Sequence, residues 1–201
     1  MATQPMPIRA LHLLLMSCLL VTLGCDSPSR ELPKLGQIQQ FELKRHDGSK
    51  ITPKTLSGRP YVAAFMFTRC PTVCPKLTHA MRDLQEEGKG RGLRFDLVSF
   101  SVDPENDTPE VLRAFAKKHQ LDLTNWHFVT GDPKVIEETA VKGFKLALQG
   151  KAKENAEHYG LLHGTHLVLV DKSSQIRGYY QSKDKRSMEQ LLAAIAKLSA
   201  S

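Results

Sequence analysis

The chain is poor in cysteine and in aromatics: its 201 residues include four Cys, one Trp, four Tyr and eight Phe. It has no apolar run of the roughly 20 residues that a comfortable membrane span needs. It also lacks internal repeats, which excludes a solenoid or propeller. No basic block with interleaved stacking aromatics occurs, so a nucleic-acid partner is not expected. The formal charge of +7 is spread over Lys44–Lys54, Lys76–Arg94, Lys142–Lys153 and Lys183–Arg186 with acids between, which describes a solvated surface. The length suits one domain plus a targeting segment.

What is present begins with an export signal. Residues 1–9 carry one cationic side chain, Arg9, and no acid. Ala10 to Gly24 then holds no formally charged residue, a length that suits the apolar core of a signal peptide. The run ends at Leu23-Gly24-Cys25-Asp26-Ser27, which resembles a bacterial lipoprotein cleavage site, with Thr22 where that site usually has leucine. Ser17-Cys18 is an earlier alternative that leaves a short apolar core, and an uncleaved signal anchor is another. The expected organisation is a signal peptide over 1–24, a lipidated Cys25 with a polar tether over 25–36, and a folded domain over 37–201. The expected location is the periplasmic face of a bacterial inner membrane. Export into an oxidising compartment leaves Cys70 and Cys74 as the thiols of the folded domain.

Phe41 to Lys44 alternates apolar and polar residues, and Lys50-Ile51-Thr52 resumes after the turn His46-Asp47-Gly48-Ser49, which together predict a hairpin. A buried strand over 61–67, a helix over 75–87 and a strand from Phe95 to Val102 follow. Thr108-Pro109 opens a helix to about His119. Trp126 to Thr130 reads as a strand, and Asp132-Pro133 begins a helix to about Lys142. Phe144 to Leu148 is expected as an inserted strand before a polar loop. Leu167 to Val170 and Ile176 to Tyr180 are expected as the last hairpin, and Met188 to Leu198 as a closing helix. This order fits an α/β, thioredoxin-like sandwich with an N-terminal hairpin and an insertion before the last hairpin.

In Phe67-Thr68-Arg69-Cys70-Pro71-Thr72-Val73-Cys74-Pro75, two thiols four apart end the first core strand and meet the first helix. A helix starting near Pro71 would put them one turn apart on one face, near the positive end of its dipole, which favours thiolate. Such a pair can close a disulfide or hold a soft metal ion, with Cu(I) the softest common candidate. A closed zinc site wants four ligands, and this motif supplies two.

The cysteine motif, Ser99-Phe100-Ser101-Val102-Asp103-Pro104-Glu105-Asn106-Asp107-Thr108-Pro109, Asn125-Trp126-His127-Phe128 and Thr130-Gly131 together resemble the Sco/SenC family over about 37–198. The resemblance implies a membrane-tethered, thioredoxin-like copper protein that helps assemble the binuclear copper site of cytochrome c oxidase, whose copper-bearing subunit would be its partner. No small-molecule substrate is implied. It also implies copper, as Cu(I) or Cu(II), held by Cys70, Cys74 and one distant histidine.

His163, just before the strand that leads into the last hairpin turn, occupies the family's histidine position. Gly164 follows it where the family often has serine or threonine, so His166 is a contender. His79, five residues past Cys74, lies about 140° around a helix from it. After Pro133 the chain contains no proline, whereas thioredoxin-like oxidoreductases place one beside the redox pair. The competing function is a thiol-disulfide reductase in which Cys70 and Cys74 act as a redox pair that keeps the oxidase's copper-ligand cysteines reduced. Asp103 and Asp107 invite a catalytic reading, but they read at least as well as strand exit and helix capping.

Overall fold

The computed structural model describes residues 31–146 and 165–199. Contacts divide the chain into two units, Met1–Glu31 and Leu32–Ser201, and the account below concerns the second.

Eight strands form one sheet. In chain order they are β1 (Gly36–Gln37), β2 (Leu43–Arg45), β3 (Lys50–Ile51), β4 (Tyr61–Met66), β5 (Asp96–Ser101), β6 (Trp126–Thr130), β7 (His166–Val170) and β8 (Gln175–Gln181). The helices are α1 (Val73–Gly90), α2 (Pro109–Lys118), α3 (Pro133–Glu138) and α4 (Lys185–Ser199), with a π-helical turn at Thr139–Gly143. The strand order is β1-β8-β7-β4-β5-β6-β2-β3. At its centre β4 runs parallel to β5 and β5 to β6, while β7 lies antiparallel to β4.

Alternation along the strands separates two cores. Val62, Ala64 and Met66 of β4, with Leu97, Trp126, Phe128, Leu167 and Leu169, face Leu77, Met81 and Leu84 of α1, Leu112 and Ala116 of α2, and Leu191 and Ile195 of α4. Tyr61, Ala63 and Phe65, with Val98, Phe100, Val129, Val168 and Val170, face the opposite way, onto Ile136 of α3, Phe144 and the N-terminal residues Ile38, Phe41 and Leu43. This is the sandwich expected from the element order. The one tryptophan keeps its indole N–H satisfied by donating to Ser99 Oγ at 3.0 Å, as a buried polar group requires.

Three features differ from the sequence reading. Residues upstream of Gln37 belong to the sheet: Gly36 and Gln37 pair with β8, Leu35 N–H donates to Ile176 O, and the Arg177 guanidinium donates to Leu32 O. The helix after Asp132 changes form after one and a half turns, where Thr139 Oγ1 donates to Val135 O and Phe144 N–H reaches back to Thr139 O. No inserted strand starts at Phe144; residues 144–146 are irregular and 147–148 lie outside the described residues. The apolar Phe144 is a core residue instead, its ring 5.2 Å from Phe65 and 5.3 Å from Phe100. Its carbonyl accepts from Tyr179 Oη.

Candidate metal centre

β4 is apolar throughout because it is covered on both faces, and it delivers the chain to the cysteine loop at its C-terminal end. Pro75 sits in the first turn of α1, where a missing N–H costs nothing. The helix begins at Val73, with Thr72 at its N-cap. Cys74 therefore lies in the first helical turn, and Cys70 lies outside the helix, in the loop before it. The two are not stacked on one helical face, because the chain turns through Pro71 and Thr72 before α1 begins. They meet nonetheless: the Cys74 N–H donates to Cys70 Sγ at 3.4 Å.

Both thiols are reduced and buried, Cys70 with 7% and Cys74 with 1% of its surface exposed. They share the core that holds Met66, Phe67, Leu167 and Leu169. Their acidities diverge. Burial opposes ionisation of Cys70, but backbone hydrogen bonds from Cys74, Thr72 and Val73, with the Cys74 thiol, bring its pKa below the usual value. Burial pushes Cys74 up to about 12, helped by the thiol and charge of Cys70 and by the charge of Asp107, against a hydrogen bond from Phe67. The open amides of a helix start serve one sulfur, and the other is left as a proton donor.

The loop is held from the side by the turn between β5 and α2. Parallel pairing of Met66 with Ser101 brings the C-terminal ends of β4 and β5 together. Asp103 accepts from Arg69 Nε at 3.2 Å and from a terminal guanidinium nitrogen at 2.9 Å. Asp107 accepts from the backbone and hydroxyl of Thr68 and from the Ser101 hydroxyl. The structural reading of these acids holds, with one correction: the N-cap of α2 is Thr108, whose hydroxyl accepts from Val111 N–H. Thr68, Arg69 and Ser101 were not singled out in the sequence. Their signal was position, at the ends of two strands whose pairing was still unknown.

Among the histidines, His163 lies outside the described residues. His166 begins β7, where Leu167 and Leu169 pack with the cysteines while Val168 and Val170 enter the opposite core. His166 has the parity of the latter, and its Nε2 lies 2.9 Å from Gln181 Nε2 on β8. His127 sits on β6 with Val98 as its partner, and Arg45 donates to its Nδ1 at 3.5 Å. His46 is buried and its Nδ1 accepts from Phe128 N–H. Among the described residues no three His, Cys, Asp or Glu side chains cluster as a metal site, and no helix is long and apolar enough to cross a membrane.

The family model SCO1/SenC matches residues 30–200. The chain belongs to the SCO1/SenC family. A SCO1/SenC family lipoprotein from Bacillus anthracis str. Ames is 33% identical, with a TM-score of 0.74 over 84% of this chain and 98% of that one. BsSco, described as a member of the Sco family of cytochrome c oxidase assembly proteins and as containing a disulfide switch, is 31% identical, with a TM-score of 0.72 over 84% and 97%. ScoI of Bradyrhizobium japonicum, solved with copper bound, is 22% identical and shares the fold at a TM-score of 0.61 over 81% and 99%. The Sco family thus contains cytochrome c oxidase assembly proteins and, in ScoI, a member that binds copper, and the sandwich described above is the thioredoxin-like fold they share.

Proposed function

We propose that this protein binds copper through the thiolates of Cys70 and Cys74 and the imidazole of His163, and delivers it to the binuclear copper site of a cytochrome c oxidase subunit. The observation that carries the reading is the buried, reduced thiol pair at the start of α1, with Cys74 N–H on Cys70 Sγ. Two soft donors and one imidazole suit Cu(I), and the imidazole also suits Cu(II). Copper here is cargo, so ligand exchange with the acceptor replaces turnover of a small substrate. The placement of His166 on the face of Val168 supports His163 as the third ligand.

The domain works on the periplasmic side of an inner membrane, anchored through a lipidated Cys25. Leu32 is tied to Arg177, so the tether expected over 25–36 ends before Leu32. Mass spectrometry of the N-terminal peptide tests the anchor: an intact segment from Met1 through Cys25 would mean an uncleaved signal anchor.

Copper stoichiometry of the reduced protein tests the ligand set. One copper per chain is expected, with stable binding lost in Cys70→Ser and in Cys74→Ser and the thiolate-to-Cu(II) absorption altered in His163→Ala but not in His166→Ala. Wild-type retention in either cysteine variant would overturn the assignment. The divergent thiol acidities favour one second reading, a thiol-disulfide reductase with Cys70 as nucleophile. Such a reductase should keep its activity in His163→Ala, whereas a copper carrier should lose affinity there.

A further inference from the structure

The two residues that lead into Cys70 are each gripped by a carboxylate of the β5–α2 turn. Asp103 holds Arg69, whose side chain is 55% exposed, so that grip sits at the rim. Asp107 is fully buried, at 0% exposure. Its Oδ2 accepts the Thr68 N–H at 3.0 Å and the Ser101 hydroxyl at 2.5 Å, and its Oδ1 accepts the Thr68 hydroxyl at 2.5 Å. The Ser101 hydroxyl accepts in turn from Asp103 N–H at 3.1 Å, joining the two carboxylates in one network.

A carboxylate taken wholly out of water is costly unless its lone pairs are filled. Here they are filled by charge-assisted bonds, the stronger kind, and two of the three come from one residue of the cysteine loop. The helix that follows has no need of this side chain, because Thr108 caps it. Val102 N–H donates to Met66 O, Cys70 N–H reaches Phe67 O at 3.3 Å, and the Phe67 backbone bonds the Cys74 sulfur. Asp107 adds to these a grip on Thr68, by backbone and side chain together, just past the end of β4.

We propose that Asp107 is a positioning residue of the cysteine centre, holding Thr68 by backbone and hydroxyl so that Cys70 keeps its place beside Cys74 while copper is taken up and released. The inference rests on the reading that this pair holds copper. A loop freed from Asp107 surrenders its metal faster, since one donor can swing away before the other lets go.

The full chain, loaded with Cu(I), is challenged with the chelator bicinchoninate. Asp107→Asn and Thr68→Val are each expected to speed copper release about tenfold, the scale of losing a bond to a charged group. The double variant should be no faster than either alone to within about twofold, because both act through one contact. Thr68→Ser, which keeps the hydroxyl, should release at the wild-type rate. Asp132→Ala, which removes the distant side-chain cap of α3, should also leave release unchanged and so separates positioning from loss of stability.

Unchanged release in folded Asp107→Asn, or a Thr68→Ser as fast as Thr68→Val, overturns the proposal. Should Asp107→Asn not fold, Thr68→Val carries the test alone. If the wild type binds no copper, the functional reading fails by itself, and positioning is read on the same variants in glutathione buffer. There the protein dithiol and one glutathione disulfide give the protein disulfide and two glutathiones. Asp107→Asn should lower the equilibrium constant for that closure at least fivefold, and no shift would overturn the proposal.

Discussion

Selective alkylation of the reduced, copper-free protein tests the division of labour between the two sulfurs. Cys74 is raised to about 12, so at pH 9 roughly one molecule in a thousand carries it as thiolate. An ordinary thiol is more than half ionised at that pH, and the backbone hydrogen bonds of the helix start shift Cys70 further towards thiolate. The ratio of thiolates is then about 500 to 1 or more. A more basic thiolate is intrinsically more nucleophilic, but with a Brønsted slope of about 0.4–0.5 this returns only part of the ratio to Cys74. Ionisation still wins, and the deeper burial of Cys74 acts in the same direction. Limiting iodoacetamide at pH 9, with peptide mass spectrometry, should therefore find the label on Cys70. The Cys70 rate should level off at a lower pH than that of an ordinary thiol, while the Cys74 rate should still be climbing at pH 11. Equal labelling, or label first on Cys74, would refute the assignment of the helix-start amides to Cys70.

The same substitution two residues apart in α1 should act with opposite signs. A Cβ on Gly88 would lie 2.4 Å from the buried Phe95 ring, whereas one on Gly90 meets nothing, so Gly88→Ala should destabilise by about 1–2 kcal/mol and Gly90→Ala stabilise by up to about 1 kcal/mol. Denaturant midpoints read both, and a stabilising Gly88→Ala would mean that Phe95 yields freely. Burial, with the Arg45 and His46 charges, holds His127 at about 4 against a usual 6.5. The unfolded chain therefore binds the extra proton first, and the contribution of His127 to stability is complete above pH 6.5 and fades as pH falls towards 4. His127→Gln should flatten the pH dependence of the unfolding midpoint in that window, and an unchanged slope would place the titration elsewhere. Tyr61 Oη is buried without a hydrogen-bond partner among the described residues. Tyr61→Phe should accordingly leave stability unchanged or raise it by up to about 1 kcal/mol, and a clear loss in thermal unfolding would reveal a partner.

Periodicity made the central elements legible. The all-apolar runs at β4 and over Leu167–Val170 in β7, and Thr108-Pro109 before α2, each state a local preference that the packed sheet also requires. The cysteine pair was legible because thiols four apart between strand and helix are rare in this chain. What stayed hidden depends on partners distant in sequence. β1 is two residues long and exists because β8 accepts it. The π-helical turn follows from Thr139 bonding to Val135 O, a choice that helix propensity does not foresee. Phe144 alternates with Leu146 as a strand residue would, yet it is held by Phe65 and Phe100. The role of Asp107 needed the parallel register of β4 and β5, which no spacing within either strand reveals.

The two outermost strands of the sheet, β1 and β3, are each two residues long. An incoming extended peptide gains affinity from a row of unpaired main-chain groups on an edge strand, and these edges present almost none. Among the described residues the protein is therefore a poor template for strand addition, whether by an acceptor's extended segment or by a second copy of itself. On the proposed function, an acceptor that takes copper from Cys70 reaches it through the loop at the C-terminal end of β4, and not by adding a strand to the sheet.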